Sequence, residues 1–249
     1  GFTLQYELSY TNLLNMLDLA GMELRSKKRG EEDPVIIAGG PCAYNPEPLA
    51  EFVDAFLIGD GEELLEKVCL ARKGCGSKRE FLEKICRYEG VYVPAFYEFV
   101  YNEDGTVSEI KKLYDDAPDR VKRAVVSDID KVFFPVENIV PFIDTVHDRA
   151  VVETFRGCTR GCRFCQAGMI YRPVRERSPE TITRIADEQL RNTGHDELSL
   201  LSLSTSDYSR FEPLAMGLMS MCKSRNVALS LPSLRLDSFS FNVLQEIQG

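Results

Sequence analysis

Apolar positions in this chain follow two periods, one helical and one extended, and the two alternate. In TNLLNMLDLAG, Leu13, Met16, Leu17 and Ala20 recur on one helical face, and Gly21 supplies a stop. PVIIAGG is a short continuous apolar run closed by Gly39 and Gly40, which reads as a buried strand. A second helix is expected to open around Asn45, Pro46 and Glu47 and to run through Phe52. AFLIGDGE repeats the run and glycine turn, and EELLEKVCLARKG follows as a helix. Residues 75 to 89 give another amphipathic helix, and YEFVYNEDGTVSEIKKL gives two extended segments around an Asp104-Gly105 turn. Strand, glycine turn and helix in this rhythm predict parallel strands with helical crossovers, an open α/β sheet. Ligands of such sheets sit beyond the carboxyl ends of the strands, where Gly39, Gly40, Gly59 and Gly61 fall. Their spacing matches neither a GxGxxG fingerprint nor a phosphate loop, so tight turns and ligand approach both stay open.

The pattern weakens between Tyr114 and Asp148, where prolines at 118, 135 and 141 mark a connector, and a domain boundary is placed near residue 145. AVVETF then reads as a strand. Ser178 caps the next helix, Pro179 suits its first position, Ile182, Ile185, Ala186 and Leu190 mark its buried side, and Gly194 ends it. ELSLLSLSTSD is a second strand followed by a helix from Phe211 to Lys223, and NVALSLPSLRLD is a third strand followed by the helical SFNVLQEIQ. Three uninterrupted strand-helix units predict the beginning of a TIM-like barrel, whose reactive groups belong on the loops after strands. A cysteine cluster, Ser204, Ser206, Asp207, Arg235 and Asp237 all fall there. Three units cannot close a barrel, so the chain is expected to be an internal segment of a longer protein. The division is 1–95 for the first α/β domain, 96–145 for the hairpin and linker, and 146–249 for the truncated barrel.

Composition adds limits. With 249 residues, 44% of them hydrophobic and 28% charged, the chain can bury a core without metal or disulfide support. No apolar run approaches the ~20 residues of a membrane span, and GFTLQYELSY lacks the regions of a secretory signal, so a cytoplasmic protein with no membrane partner is expected. The net charge of -9 is uneven: residues 1–150 carry 18 Lys or Arg against 28 Asp or Glu, or -10, and residues 151–249 carry 12 against 11, or +1. Arg156, Arg160, Arg163, Arg172, Arg175 and Arg177 crowd around the cysteine loop, either as a basic rim for an anionic ligand or as a solvated surface.

That loop, RGCTRGCRFCQAG, carries Cys158, Cys162 and Cys165, while Cys42, Cys69, Cys75, Cys86 and Cys222 are scattered like small core residues. Three thiolates can hold an iron-sulfur cluster with one corner open, or a zinc ion completed by Cys222 or His195, or they can be inert. The spacing Cys158-x-x-x-Cys162-x-x-Cys165, with Phe164 before the last cysteine, resembles the signature of the radical S-adenosylmethionine (radical SAM) superfamily. The resemblance implies a 4Fe-4S cluster on the three cysteines and S-adenosylmethionine on the open iron. It also implies reductive formation of a 5'-deoxyadenosyl radical, with an electron donor such as flavodoxin or ferredoxin as partner.

Where the superfamily often has Gly-Gly-Glu to meet the methionine amino group, this chain has Ser204-Thr205-Ser206-Asp207. Arg235 either meets the methionine carboxylate or pairs with Asp237. PVIIAGGPCAYNPEPLAEFVDAFLIGDGEE is similar to the back half of the cobalamin-binding, Rossmann-like domain that precedes many radical SAM cores, with Gly39, Gly40, Gly59 and Gly61 near the corrin. With LQYELSYTN ahead of it, the order of units looks like an uncharacterised family of cobalamin-type radical SAM proteins. The histidine of a DxHxxG motif is missing, since the two histidines are His147 and His195. A cobalamin bound without it and a degenerate domain both remain open. The implied activity is radical chemistry on an RNA, protein or small-molecule substrate, including cobalamin-dependent methyl transfer. A methylthiotransferase or other modifying enzyme and a non-catalytic iron-sulfur scaffold are the alternatives.

Overall fold

The computed structural model describes residues 1–143, 145–238, 242, 243 and 245. They divide into two units, Gly1–Val126 and Ser127–Gly249.

In the first unit, β1 (Phe2–Thr3) leads into α1 (Tyr10–Leu19), and β2 (Ile37–Gly39), β3 (Ala55–Leu57), α2 (Leu64–Lys73), α3 (Lys78–Ile85) and β4 (Val91–Tyr92) follow. The sheet order is β1-β2-β3-β4, parallel across the first three strands and antiparallel at β4. β3 is buried on both faces, which accounts for its unbroken apolar run. Leu13 and Leu17 of α1 are buried as the periodicity requires, whereas Met16 is 56% exposed, so the buried stripe is narrower than expected. The helix expected from Asn45 to Phe52 is not an α-helix. Pro41, Pro46 and Pro48 withhold amide donors and constrain the residues before them, and the segment forms two short 3-10 turns, Pro41–Tyr44 and Glu47–Leu49. β5 (Tyr97–Tyr101) and β6 (Val107–Lys112) pair as the expected hairpin.

In the second unit, β7 (Ala150–Glu153) and β8 (Phe155–Arg156) precede α4 (Ala167–Ile170), β9 (Arg175–Glu176) and α5 (Pro179–Thr193). β10 (Glu197–Leu201), α6 (Phe211–Arg225) and β11 (Ala228–Ser230) complete it. The main sheet is a parallel trio ordered β11-β10-β7, with β10 central. Ser178 Oγ accepts from Thr181 N at 3.2 Å, and Gly194 closes α5 at φ 75°. Ile182, Ile185, Ala186 and Leu190 of α5 pack with Val152, Leu198, Leu200 and the α6 residues Leu214 and Leu218 in one buried cluster. Phe134 and Val136 also pack against that cluster, and Gln189 Nε2 donates to the Pro135 carbonyl at 3.1 Å, so part of the connector belongs to the second unit. The sheet places the carboxyl ends of β7, β10 and β11 on one edge, as a parallel α/β layer demands. The helix expected over SFNVLQEIQ lies mostly outside the described residues.

Candidate radical SAM site

β7 and the cysteine loop are joined by a stretch tightly tied to the sheet. Thr154 is fully buried and its N–H donates to the Leu201 carbonyl at 3.0 Å, extending the β7–β10 ladder past Glu153. Then β8 pairs antiparallel with β9, so residues 157–174 form an excursion closed at its base. Gly157 opens it at φ 90°, and a Cβ there would lie 2.6 Å from the Pro173 carbonyl oxygen, a position only glycine can take. Arg172 Nε donates to the Cys158 carbonyl at 3.2 Å.

Within the loop, Arg160 N–H points to Cys158 Sγ at 3.5 Å, and Cys165 N–H donates to the Cys162 carbonyl at 3.0 Å, one turn apart. Cys158 and Cys162 are half-buried and Cys165 is exposed, as is the Phe164 ring at 92%. Among the described residues, no group of three or more His, Cys, Asp and Glu side chains is arranged to hold a metal. The three thiols share one loop. Their chemistry still suits a cluster, because three soft donors lie in one glycine-containing arc and Gly161 has open space around it at φ 67°.

Two other strand ends meet this loop. Ser204–Asp207 lies just past β10, with a 3-10 turn over Thr205–Asp207. Thr205 is fully buried, its N–H donating to the Ser233 carbonyl at 3.2 Å and its hydroxyl lying 3.0 Å from that of Ser202. Ser206 Oγ accepts from Arg235 N at 3.1 Å and lies 2.8 Å from Ser238 Oγ, tying the β10 end to the segment after β11. Asp207 takes the Arg160 guanidinium in a two-pronged contact, Nε to Oδ2 at 2.9 Å and Nη2 to Oδ1. That contact holds the Asp207 carboxyl below the usual range. Ser204 Oγ lies near the same carboxylate and adds to the effect, yet it is buried without a hydrogen bond among the described residues. Arg235 pairs with Asp237 through two contacts of 2.9 Å. Of the two roles open to Arg235, this geometry shows the ion pair.

The structure thus brings Cys158, Cys162, Ser206, Asp207 and Arg235 to one edge and leaves Phe164 facing outward. Two arginines counted with the basic rim are internal. Arg175 is 7% exposed and donates through Nε to the Pro173 carbonyl at 3.2 Å; Arg177 is 1% exposed. Arg177 lies 5.2 Å over the Phe134 ring, donates to the Ile129 carbonyl, and reaches Glu153 at 3.4 Å. Glu153 in turn grips Arg156 at 2.8 and 2.9 Å. Sequence reasoning missed Glu153 altogether; its only signal was its position as the last residue of an apolar strand.

The glycines of the first unit have a different neighbourhood. A Cβ on Gly59, at φ 113°, would lie 2.1 Å from the Ala124 carbonyl oxygen, and Gly59 bridges Ala124 in a short parallel contact. A Cβ on Gly40 would lie 2.8 Å from the Leu4 carbonyl oxygen and one on Gly39 3.3 Å from that of Leu57, while one on Gly61 would meet open space. Three of the four assigned to a corrin edge approach the chain's own backbone. On the side a Cβ would take, these three are met by the protein itself and not by an open cradle.

Residues 152–248 match the Radical SAM superfamily model, and residues 1–94 match the model of the N-terminal region of radical SAM proteins. The chain carries a radical SAM superfamily domain. It is 27% identical over 246 residues to an uncharacterized protein of Methanocaldococcus jannaschii, covering 98% of this chain and 46% of that protein. It is 25% identical over 204 residues to the ribosomal protein uS12 methylthiotransferase RimO of Prochlorococcus marinus, covering 80% of this chain and 40% of that protein. The chain spans less than half the length of these curated relatives. Among solved structures it matches the radical S-adenosylmethionine methyltransferase TsrM from Kitasatospora setae, bound to cobalamin and a 4Fe-4S cluster. That match has 12% identity and a TM-score of 0.45, over 78% of this chain and 37% of the other. No helix among the described residues is long and apolar enough to cross a membrane.

Proposed function

We propose that this chain is part of a radical SAM enzyme in which Cys158, Cys162 and Cys165 hold a 4Fe-4S cluster by three irons and leave the fourth for S-adenosylmethionine. When bound, the cluster supplies the electron that cleaves the sulfonium and releases a 5'-deoxyadenosyl radical. The observation that carries the reading is the placement of all three cysteines on the loop that leaves β7, beside the ends of β10 and β11. Ligand sites of parallel α/β layers lie on that edge. A barrel completed by further strand-helix units belongs to the same proposal, as does a flavodoxin- or ferredoxin-like donor in the cytoplasm.

The chain's own residues divide the work. Gly157 and the β8–β9 pair fix the base of the loop, and Thr154 locks that base to β10. Ser204, Thr205 and Ser206 offer hydroxyl oxygens and strand-end carbonyls to an ammonium group, and Ser204 Oγ is buried without a hydrogen bond among the described residues. Arg235 can meet a carboxylate only by turning away from Asp237. No step is assigned to cobalamin in the first unit, because at Gly39, Gly40 and Gly59 the side a Cβ would take is met by the chain's own backbone.

Similarity to a ribosomal-protein methylthiotransferase favours a second reading, modification of a macromolecule, for which this chain shows no second three-cysteine motif as a sulfur source. The test is anaerobic reconstitution of the full-length polypeptide with iron and sulfide, followed by S-adenosylmethionine and dithionite. Appearance of 5'-deoxyadenosine, lost in Cys158→Ala, Cys162→Ala and Cys165→Ala but kept in Cys69→Ala, supports the reading. A loaded protein that yields none would instead be an iron-sulfur scaffold.

A further inference from the structure

The tip of the cysteine loop, residues 159–166, reaches the sheet edge through the side-chain contact of Arg160 with Asp207. A guanidinium fork on a carboxylate fixes direction as well as distance. Arg160 stands between Cys158 and Cys162, so holding it positions the arc that carries both thiols. Asp207 has its side chain 15% exposed and both oxygens engaged, against 41% exposure for Arg160. Arg160 and Arg235 are each matched by an aspartate of their own, Asp207 and Asp237.

We infer that Arg160 and Asp207 are positioning residues, a latch that seats the cysteine loop against the end of β10, and that Asp207 acts through the loop rather than by touching the methionine amino group. This rests on the cluster assignment above. It predicts that each partner matters to loading of iron before any S-adenosylmethionine is added. Partners that orient a metal's ligands are worth 10- to 100-fold in metal affinity, so a loss of about 10-fold or more in iron affinity is expected.

The test compares the full-length wild type with Arg160→Gln, Arg160→Lys, Asp207→Asn, the double variant Arg160→Gln/Asp207→Asn, and the charge swap Arg160→Asp/Asp207→Arg. Iron and acid-labile sulfide per chain are measured after anaerobic reconstitution. Alkylation rates of Cys158 and Cys162 are measured by mass spectrometry in reduced, iron-free protein. A latch predicts that both single variants lose loading to a similar degree, that the double variant is no worse, and that the swap recovers part of it. It also predicts faster alkylation of both thiols in the single variants, with Arg160→Lys intermediate because it keeps charge but not the fork. Loading and alkylation unchanged in Asp207→Asn, with only S-adenosylmethionine binding weakened, would overturn the inference and make Asp207 a ligand. If the wild type itself takes up no cluster, the cluster assignment fails, and the alkylation rates still decide whether the latch exists.

Discussion

Glu153→Gln tests whether the strand beneath the cysteine loop is held by a buried charge pair. Arg177 has a side chain 1% exposed and Glu153 one 19% exposed, 3.4 Å apart. Burial pulls the Arg177 pKa down, with Glu153 opposing, but a guanidinium stays charged, so it must be balanced where it lies. Removing one member of a buried pair costs about 3–5 kcal/mol, because the other charge is left uncompensated. Glu153 is one-fifth exposed, and Arg177 keeps the Ile129 carbonyl and the Phe134 face, so the expected loss falls to about 2–4 kcal/mol. That corresponds to roughly 30- to 1,000-fold more frequent opening, at about 1.4 kcal/mol per decade. Arg177→Met removes the charge itself and leaves Glu153 with Arg156, so it should cost less, about 1–2 kcal/mol for the stranded carbonyl. The double variant should fall short of the sum. Hydrogen exchange read by mass spectrometry in peptides covering Val152 and Leu200 reports opening of this sheet alone. Glu153→Gln protected like the wild type, or Arg177→Met opening more than Glu153→Gln, would refute the reasoning.

Other substitutions probe other links. Gly59→Ala combines a left-handed φ of 113° with a Cβ 2.1 Å from the Ala124 oxygen, so it should destabilise the first unit by about 3 kcal/mol or more, while Gly61→Ala, in open space, should stay within about 0.5 kcal/mol; urea unfolding separates them. Ser178→Ala should cost about 1 kcal/mol through the lost cap on Thr181 N, and Ile182→Ala, fully buried, about 2–5 kcal/mol, both read by the same exchange experiment. Asp207 has a folded pKa depressed by Arg160, so its contribution is complete above the unfolded value near 4 and is lost as pH falls through the lower folded value. Stability measured from pH 6 down to pH 2 should therefore fall less steeply in Asp207→Asn than in the wild type; equal slopes would contradict the pairing.

Much of the second unit was legible because its signals are local. The Ser178 cap, Pro179, the Ile182–Leu190 stripe and Gly194 lie within one helix and agree with each other, and the structure repeats them position by position. The loop after β7 was legible for the same reason. What failed depends on distance or on competing local rules. Pro46 and Pro48 overrode the helical reading of 45–52. Arg175 and Arg177 read as surface charge until carbonyls and a carboxylate brought by the fold made their burial tolerable. Gly59 was assigned to a ligand edge, yet its neighbour is Ala124, 65 positions on, and nothing near Gly59 signals that contact. The Arg160–Asp207 pair likewise joins residues 47 apart, visible only once β7 and β10 lie side by side.

The central claim is that three loop thiolates grip a cluster and leave one iron free for S-adenosylmethionine. Electron paramagnetic resonance of the reconstituted, dithionite-reduced full-length protein tests it most directly, recorded with and without S-adenosylmethionine carrying a nitrogen-15 amino group. The account predicts a 4Fe-4S signal that shifts on addition and shows coupling to the labelled nitrogen. A cluster signal that the compound leaves unchanged, or an equally intense signal in the Cys158→Ala, Cys162→Ala and Cys165→Ala triple variant, would contradict it.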